Sequence, residues 1–265
     1  MKATTKRTPR AGKVSRRSTL PEQAYRMHVA LVRRVNDTHI FVQQALRLLL
    51  DARKRYAASD DSDDKPYAVP SHGKSGVAKR RDDELREIYD RYIATDLYNN
   101  LLVAIVSQCE SFLFDVLRLV LRAYPKKITM NIQGVELKKV VDIDMVLNAT
   151  DIENVRCALI EQRLHSVSYA KPADYLQFLN AIAHITTDDD AFAQYIEIKA
   201  TRDIIIHNAG IANPTYLAKA GPKARVAAEE RLPMNAEYFD HCVATIKRVA
   251  GIVKRDVEEH FTPAA

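Results

Sequence analysis

The sequence predicts an all-α protein, and three observations carry that reading. Gly and Pro are scarce, with 7 and 10 among 265 residues. Leu, Ala, Arg, Lys, Glu and Gln are abundant, which favours long helices over a turn-rich β architecture. Apolar residues also recur at helical spacing over several long stretches. At 47% hydrophobic content the chain can bury a sizeable core.

Taken in order, the first helix runs from Pro21 to about Tyr56, with Val29, Leu31, Val32, Val35, Ile40, Val42, Ala45, Leu46, Leu49 and Leu50 at helical spacing. Residues 58–81 carry Asp60, Asp61, Asp63, Asp64, Pro66, Pro70, Gly73 and Gly76, the composition of a flexible insertion. A second helix from about Asp83 to Ala123 has a low-charge apolar centre and is predicted to be the long central one. Pro125 stops it, and 128–141 reads equally as a short β-hairpin around Ile132-Gln133-Gly134-Val135 or as a helical turn. Asp151 opens the next helix, and Pro172 suits the first turn of the one after. Asp188, Asp189 and Asp190 precede a helix that ends near His207, with Gly210 as a left-handed stop. A last helix from about Asn235 to Phe261 places Tyr238, Phe239, Val243, Ile246, Val249, Ile252 and Val253 on its apolar side. The expected organisation is a disordered basic arm over 1–20 and a helical domain over 21–262, interrupted at 58–81.

The net charge of +6 would suit a polyanionic partner, but Lys6, Arg7, Arg10, Lys13, Arg16 and Arg17 sit in the first seventeen residues. The body is therefore near neutral. The arm suits a solvated tail and, second to that, an amphipathic transit peptide. Cys109, Cys157 and Cys242 stand singly, without CxxC or zinc-type spacing, so neither a disulfide framework nor a metal or cofactor site is expected. A reducing cytoplasm fits best, and no stretch reads as long and apolar enough to span a membrane. Lys74-Ser75 lacks the rest of a phosphate-binding loop, and the tyrosines are scattered rather than interleaved with basic residues as in a base-stacking platform.

The segment that carries chemistry is Arg202-Asp203-Ile204-Ile205-Ile206-His207. Its three β-branched isoleucines are mediocre helix formers and must be held by packing on several sides. An Arg and a His in such surroundings incur a desolvation cost, which is tolerated where the groups are paired or functional. Five residues along a helix turn the side-chain direction by about 140° and rise about 7.5 Å, so Arg202 and His207 do not stack but can edge one cleft closed by another surface. Asp203 and His207 are four apart on one face, where the carboxylate can orient the imidazole. Two similar Arg–His spacings, Arg34 with His39 and Arg255 with His260, bracket polar residues and read as solvated. The plain alternative is an ion pair from Arg202 to Glu110 or Asp203, with His207 capping a helix C-terminus.

The run from Arg202 through Asn208-Ala209-Gly210-Ile211-Ala212-Asn213 resembles the R-x4-6-H signature of the HEPN superfamily (higher eukaryotes and prokaryotes nucleotide-binding). Upstream, Ser107-Gln108-Cys109-Glu110-Ser111-Phe112-Leu113-Phe114-Asp115-Val116-Leu117 resembles the second-helix signature of bacterial members related to the RiboL-PSP group. The likeness covers about residues 90–261. It implies a helical bundle that forms a homodimer, with Arg202 and His207 of both copies at a shared interface cleft, cutting RNA without metal or cofactor. Asp203, Asn208 and Glu110 are the supporting residues it suggests. The implied function is a metal-independent endoribonuclease of toxin–antitoxin or phage-defence type, leaving 2′,3′-cyclic phosphate and 5′-hydroxyl ends, with an antitoxin or other partner protein. The alternative is a non-catalytic protein- or nucleotide-binding dimerisation module.

Overall fold

The structure is a computed structural model that describes residues 18–137 and 140–262. It is predominantly helical, as expected for an all-α chain. Most of the basic arm, residues 1–17, lies outside the described residues.

Helix α1 spans Leu20–Ala57 and starts where its sequence dictates. The Thr19 hydroxyl accepts from the Glu22 amide, and the Glu22 carboxylate accepts from the Thr19 amide at 2.9 Å, so two otherwise orphaned donors are satisfied reciprocally. Its buried Ala24, Leu31, Val35 and Val42 join the core with the central and last helices described below, and Ala52 is buried further along.

The segment read as a flexible insertion is instead an antiparallel hairpin, β1 (Lys65–Ser71) and β2 (Lys74–Arg80), paired from Lys65 with Arg80 to Ser71 with Lys74. The composition misleads because Gly and Pro serve turns as well as linkers. His72-Gly73 forms the two-residue turn, with Gly73 at φ +72°. Pro66 and Pro70 are tolerated because each strand of a two-stranded ribbon has an open edge. The strands pack chiefly against each other, and the ribbon is tied at its base by ion pairs of Lys65 with Asp61 and Asp82.

The second predicted helix is divided. Helix α2 (Asp82–Arg91) passes through a π-helical turn at Tyr92–Asp96 into α3 (Leu97–Ala123). The extra residue in that turn shifts the inward-facing register by one position. From there Leu102, Ile105, Val106, Cys109, Leu113, Val116, Leu117, Val120 and Leu121 of α3 are buried. The 82–123 stretch is long and apolar enough to cross a membrane, contrary to the sequence expectation. In this fold its apolar side is the core.

Pro125 opens a 3-10 turn to Thr129. The hairpin considered for 128–141 reduces to a single bridge between Ile132 and Val135. The reason lies in what holds this loop. The buried Arg163 guanidinium donates to the carbonyls of Met130 at 2.9 Å, Val135 at 3.2 Å and Glu136, using donors that a second strand would otherwise supply. Gly134 has φ +73°, which favours glycine, and a Cβ there would displace the Asp174 carboxylate, 1.9 Å away.

A short helix α4 (Ile143–Leu147) follows, then α5 (Ile152–Ser168), whose Asp151 cap accepts from the Asn154 amide at 2.8 Å, and α6 (Pro172–Ala183). Helix α7 (Asp190–His207) is capped by Asp189, α8 covers Pro214–Ala220, and α9 covers Ala236–Phe261 behind its Asn235 cap. Around α3 pack α1, α5, α6, α7 and α9. A second, smaller cluster joins Ala200 and Ile204 of α7 to Ala212, Tyr216, Ala220 and Leu232. This cluster fixes the end of α7, where the candidate residues lie.

Candidate functional site

Helix α7 is buried over most of its length. Tyr195, Ile196, Glu197, Ile198, Ala200, Thr201 and Ile204 face inward, while Lys199, Arg202, Asp203, Ile206 and His207 form the accessible strip of its second half. The isoleucine turn is therefore packed on fewer sides than expected. Ile204 is buried and Ile205 lies against the core, but Ile206 is 48% exposed because none of the described elements covers that side.

Arg202 pairs with Glu110 of α3, which also holds Lys199 at 2.9 Å. Arg202 is additionally 3.4 Å from Asp203, and Asp203 receives Lys219 of α8 at 2.9 Å. Five charged groups thus form one chain across α3, α7 and α8. Below Glu110 lie Cys109, Tyr175 and Tyr195. Burial pushes the Cys109 thiol up to about 12 and both phenols well above their ordinary value, so this floor is uncharged. The Tyr175 and Tyr195 hydroxyls and Arg202 Nε are buried and, among the described residues, have no hydrogen-bond partner.

His207 occupies the last turn of α7, exposed, with no side-chain hydrogen bond among the described residues. The expected orientation of its ring by Asp203 is not seen, because that carboxylate is drawn the other way by Arg202 and Lys219. Asn208 holds the exit turn, its side-chain amide donating to the Ile211 carbonyl at 2.5 Å. Gly210 takes φ +78° as predicted, and its amide closes the helix on the Ile204 carbonyl at 3.1 Å. The chain then runs antiparallel to 229–232. Ile211 bridges Arg231, the Leu232 amide donates to Gly210 at 2.8 Å, and Arg231 Nη1 donates to the Ala209 carbonyl at 2.9 Å.

The structure therefore gathers Glu110, Arg202 and Asp203, and puts His207 at the open end of the same strip. Sequence reading missed Lys199, Lys219 and Arg231. Only Lys199 carried a signal, standing three residues before Arg202 on the same face. It also missed a buried network on the opposite side of α7. There Glu197 accepts from Thr201 (2.7 Å), Tyr216 (2.9 Å), Arg225 (3.0 Å) and Tyr238 (2.7 Å). Arg225 lies 3.5 Å over the Tyr238 ring and donates to the Pro233 carbonyl at 2.7 Å. Burial works against the charge on Arg225, but Tyr238 and Glu197 outweigh it, and its pKa lies above the ordinary guanidinium value.

Two surface depressions lie elsewhere. One of about 540 Å³ is lined by Pro21, Tyr25, Arg26 and Glu258. The other, of about 210 Å³, is at the base of the hairpin, and neither is lined by Arg202 or His207. Among the described residues no three His, Cys, Asp or Glu side chains converge as a metal set. No protein-family profile, curated protein or solved structure matches the chain.

Proposed function

We propose that this chain is a metal-independent endoribonuclease of the HEPN type, acting as a homodimer in a toxin or phage-defence role. The observation that carries the reading is the strip on α7, where an exposed imidazole, without a side-chain partner among the described residues, follows a guanidinium fixed by a carboxylate of the neighbouring helix. The exposed Ile206 and Ile211 beside it suit coverage by a second copy, which would turn an open ridge into a cleft.

In the proposed reaction His207 takes the proton from a ribose 2′-hydroxyl, and the 2′-oxygen bonds to phosphorus as the bond from phosphorus to the 5′-oxygen breaks. The departing 5′-oxygen takes a proton from water, and cations along the strip offset charge on the phosphoryl oxygens. Products are a 2′,3′-cyclic phosphate and a 5′-hydroxyl.

The test is purified protein with single-stranded RNA in EDTA. Cleavage with those ends is expected, falling about 100-fold or more in His207→Ala with folding unchanged. Equal cleavage by both proteins would remove the assignment. One observation favours the second reading, a non-catalytic dimerisation module. Arg202 is already engaged by Glu110, and Asp203 by Lys219, as structural ion pairs are. That reading expects a dimer without cleavage by wild type.

A further inference from the structure

We infer that Arg231, on the segment leading into α9, is the cation that meets the RNA phosphate beside His207. The inference rests on the ribonuclease reading and names a phosphate-binding residue that the Arg–His spacing does not reveal.

Three observations converge on it. The first is position. Arg231 bridges Ile211, its Nη1 donates to the Ala209 carbonyl at 2.9 Å, and a Cβ on Gly210 would meet that same nitrogen at 3.5 Å. The guanidinium therefore lies against the turn that leaves His207, although Arg231 is distant from it in sequence.

The second is charge. Arg202 shares Glu110 with Lys199 and also faces Asp203, so its charge is largely offset within the protein. Arg231 is exposed and, among the described residues, has no carboxylate at ion-pair distance. The Glu230 carboxylate beside it in sequence is turned to the Ala227 amide at 3.0 Å. Of five guanidinium donors one is used on a carbonyl, which fixes the group while leaving donors for a phosphate oxygen.

The third is the field at this end of α7. A helix C-terminus carries a partial negative charge, so a phosphodiester brought to His207 meets repulsion from the terminal carbonyls. A cation held on the exit turn offsets that repulsion. The chemistry this arrangement recognises is a single-stranded RNA phosphodiester, brought to His207 with one phosphate oxygen toward the free donors of Arg231.

The charge of Arg231 is separable from its turn-holding hydrogen bond. Arg231→Gln keeps an amide donor without charge, and Arg231→Lys keeps the charge. The experiment uses the full chain, a single-stranded RNA for cleavage, and the same RNA with 2′-deoxy substitution for binding across a salt series. In Arg231→Gln, kcat/KM is expected to fall about 100-fold. The log–log salt slope of binding should become shallower by about 0.7, as loss of one phosphate contact requires. Arg231→Lys should stay within about tenfold of wild type, all three proteins sharing one melting midpoint. An Arg231→Gln protein that cleaves and binds like wild type, with an unchanged slope, overturns the inference and leaves the nuclease reading standing. Arg231-dependent binding without any cleavage by wild type supports the phosphate site and removes the nuclease. Absence of both binding and cleavage removes both.

Discussion

Two glutamates bear on α7 from within the protein and are used in opposite ways. Glu197, on α7 itself, is 4% exposed, and its two oxygens accept from Thr201, Tyr216, Arg225 and Tyr238. Glu110, on α3, is nearer the surface, serves two cations, and sits above phenols and an Arg202 Nε that lack partners among the described residues. A buried network in which each group is satisfied specifies one arrangement of the chain, here the docking of 213–238 onto α7. A partly exposed network whose unpartnered atoms are themselves buried specifies its arrangement less completely. The difference separates the scaffold of the exit turn from its accessible chemistry.

The largest expected effect tests the first half of that contrast. Glu197→Ala leaves the partly buried Arg225 without its carboxylate and the Tyr216 and Tyr238 hydroxyls without their acceptor, and should cost about 3–5 kcal/mol, measured by urea unfolding. A loss below about 1 kcal/mol would mean that Glu197 is no keystone. Tyr238→Phe removes one donor to Glu197 and should cost about 1–2 kcal/mol. Glu110→Gln, at the more exposed network, should cost less than about 1 kcal/mol. A loss as large as that of Glu197→Ala would erase the distinction between the two regions.

The smallest effect is in alkali. Burial raises Tyr216 and Tyr238 above the usual phenol value of 10. Their contribution to stability is fully present below pH 10 and is lost as pH rises toward the folded values, because there the unfolded chain has released protons that the folded one keeps. Unfolding free energy should therefore decline above pH 10, less steeply in Tyr238→Phe. Equal slopes in the two proteins would separate this phenol from the pH response.

How far the molecule could be read from its residues depended on how local each signal was. Helix starts at Asp151, Pro172 and Asn235, and stops at Pro125 and Gly210, were legible because a cap or a missing amide acts within one turn. The 65–80 hairpin was not, since Pro66, Pro70 and Gly73 suit a linker and a ribbon equally until pairing is known. The π-helical turn at Tyr92–Asp96 left no mark, because it shifts the apolar period by a residue without interrupting it. At the site, Arg202 with Glu110 was anticipated, whereas the exposure of Ile206 and the approach of Arg231 depend on which distant segment folds over α7. Burial is a property of neighbours. A sequence read along one helix does not name them.

The antiparallel ribbon has one more consequence. Helices α1 and α2 pack directly on each other, so the ends joined by 58–81 are already held together without help from the strands. The excursion between them can thus be shortened to a plain loop, or used to graft a reporter, at little cost to the bundle. Its amides should trade hydrogen for deuterium long before those of α3.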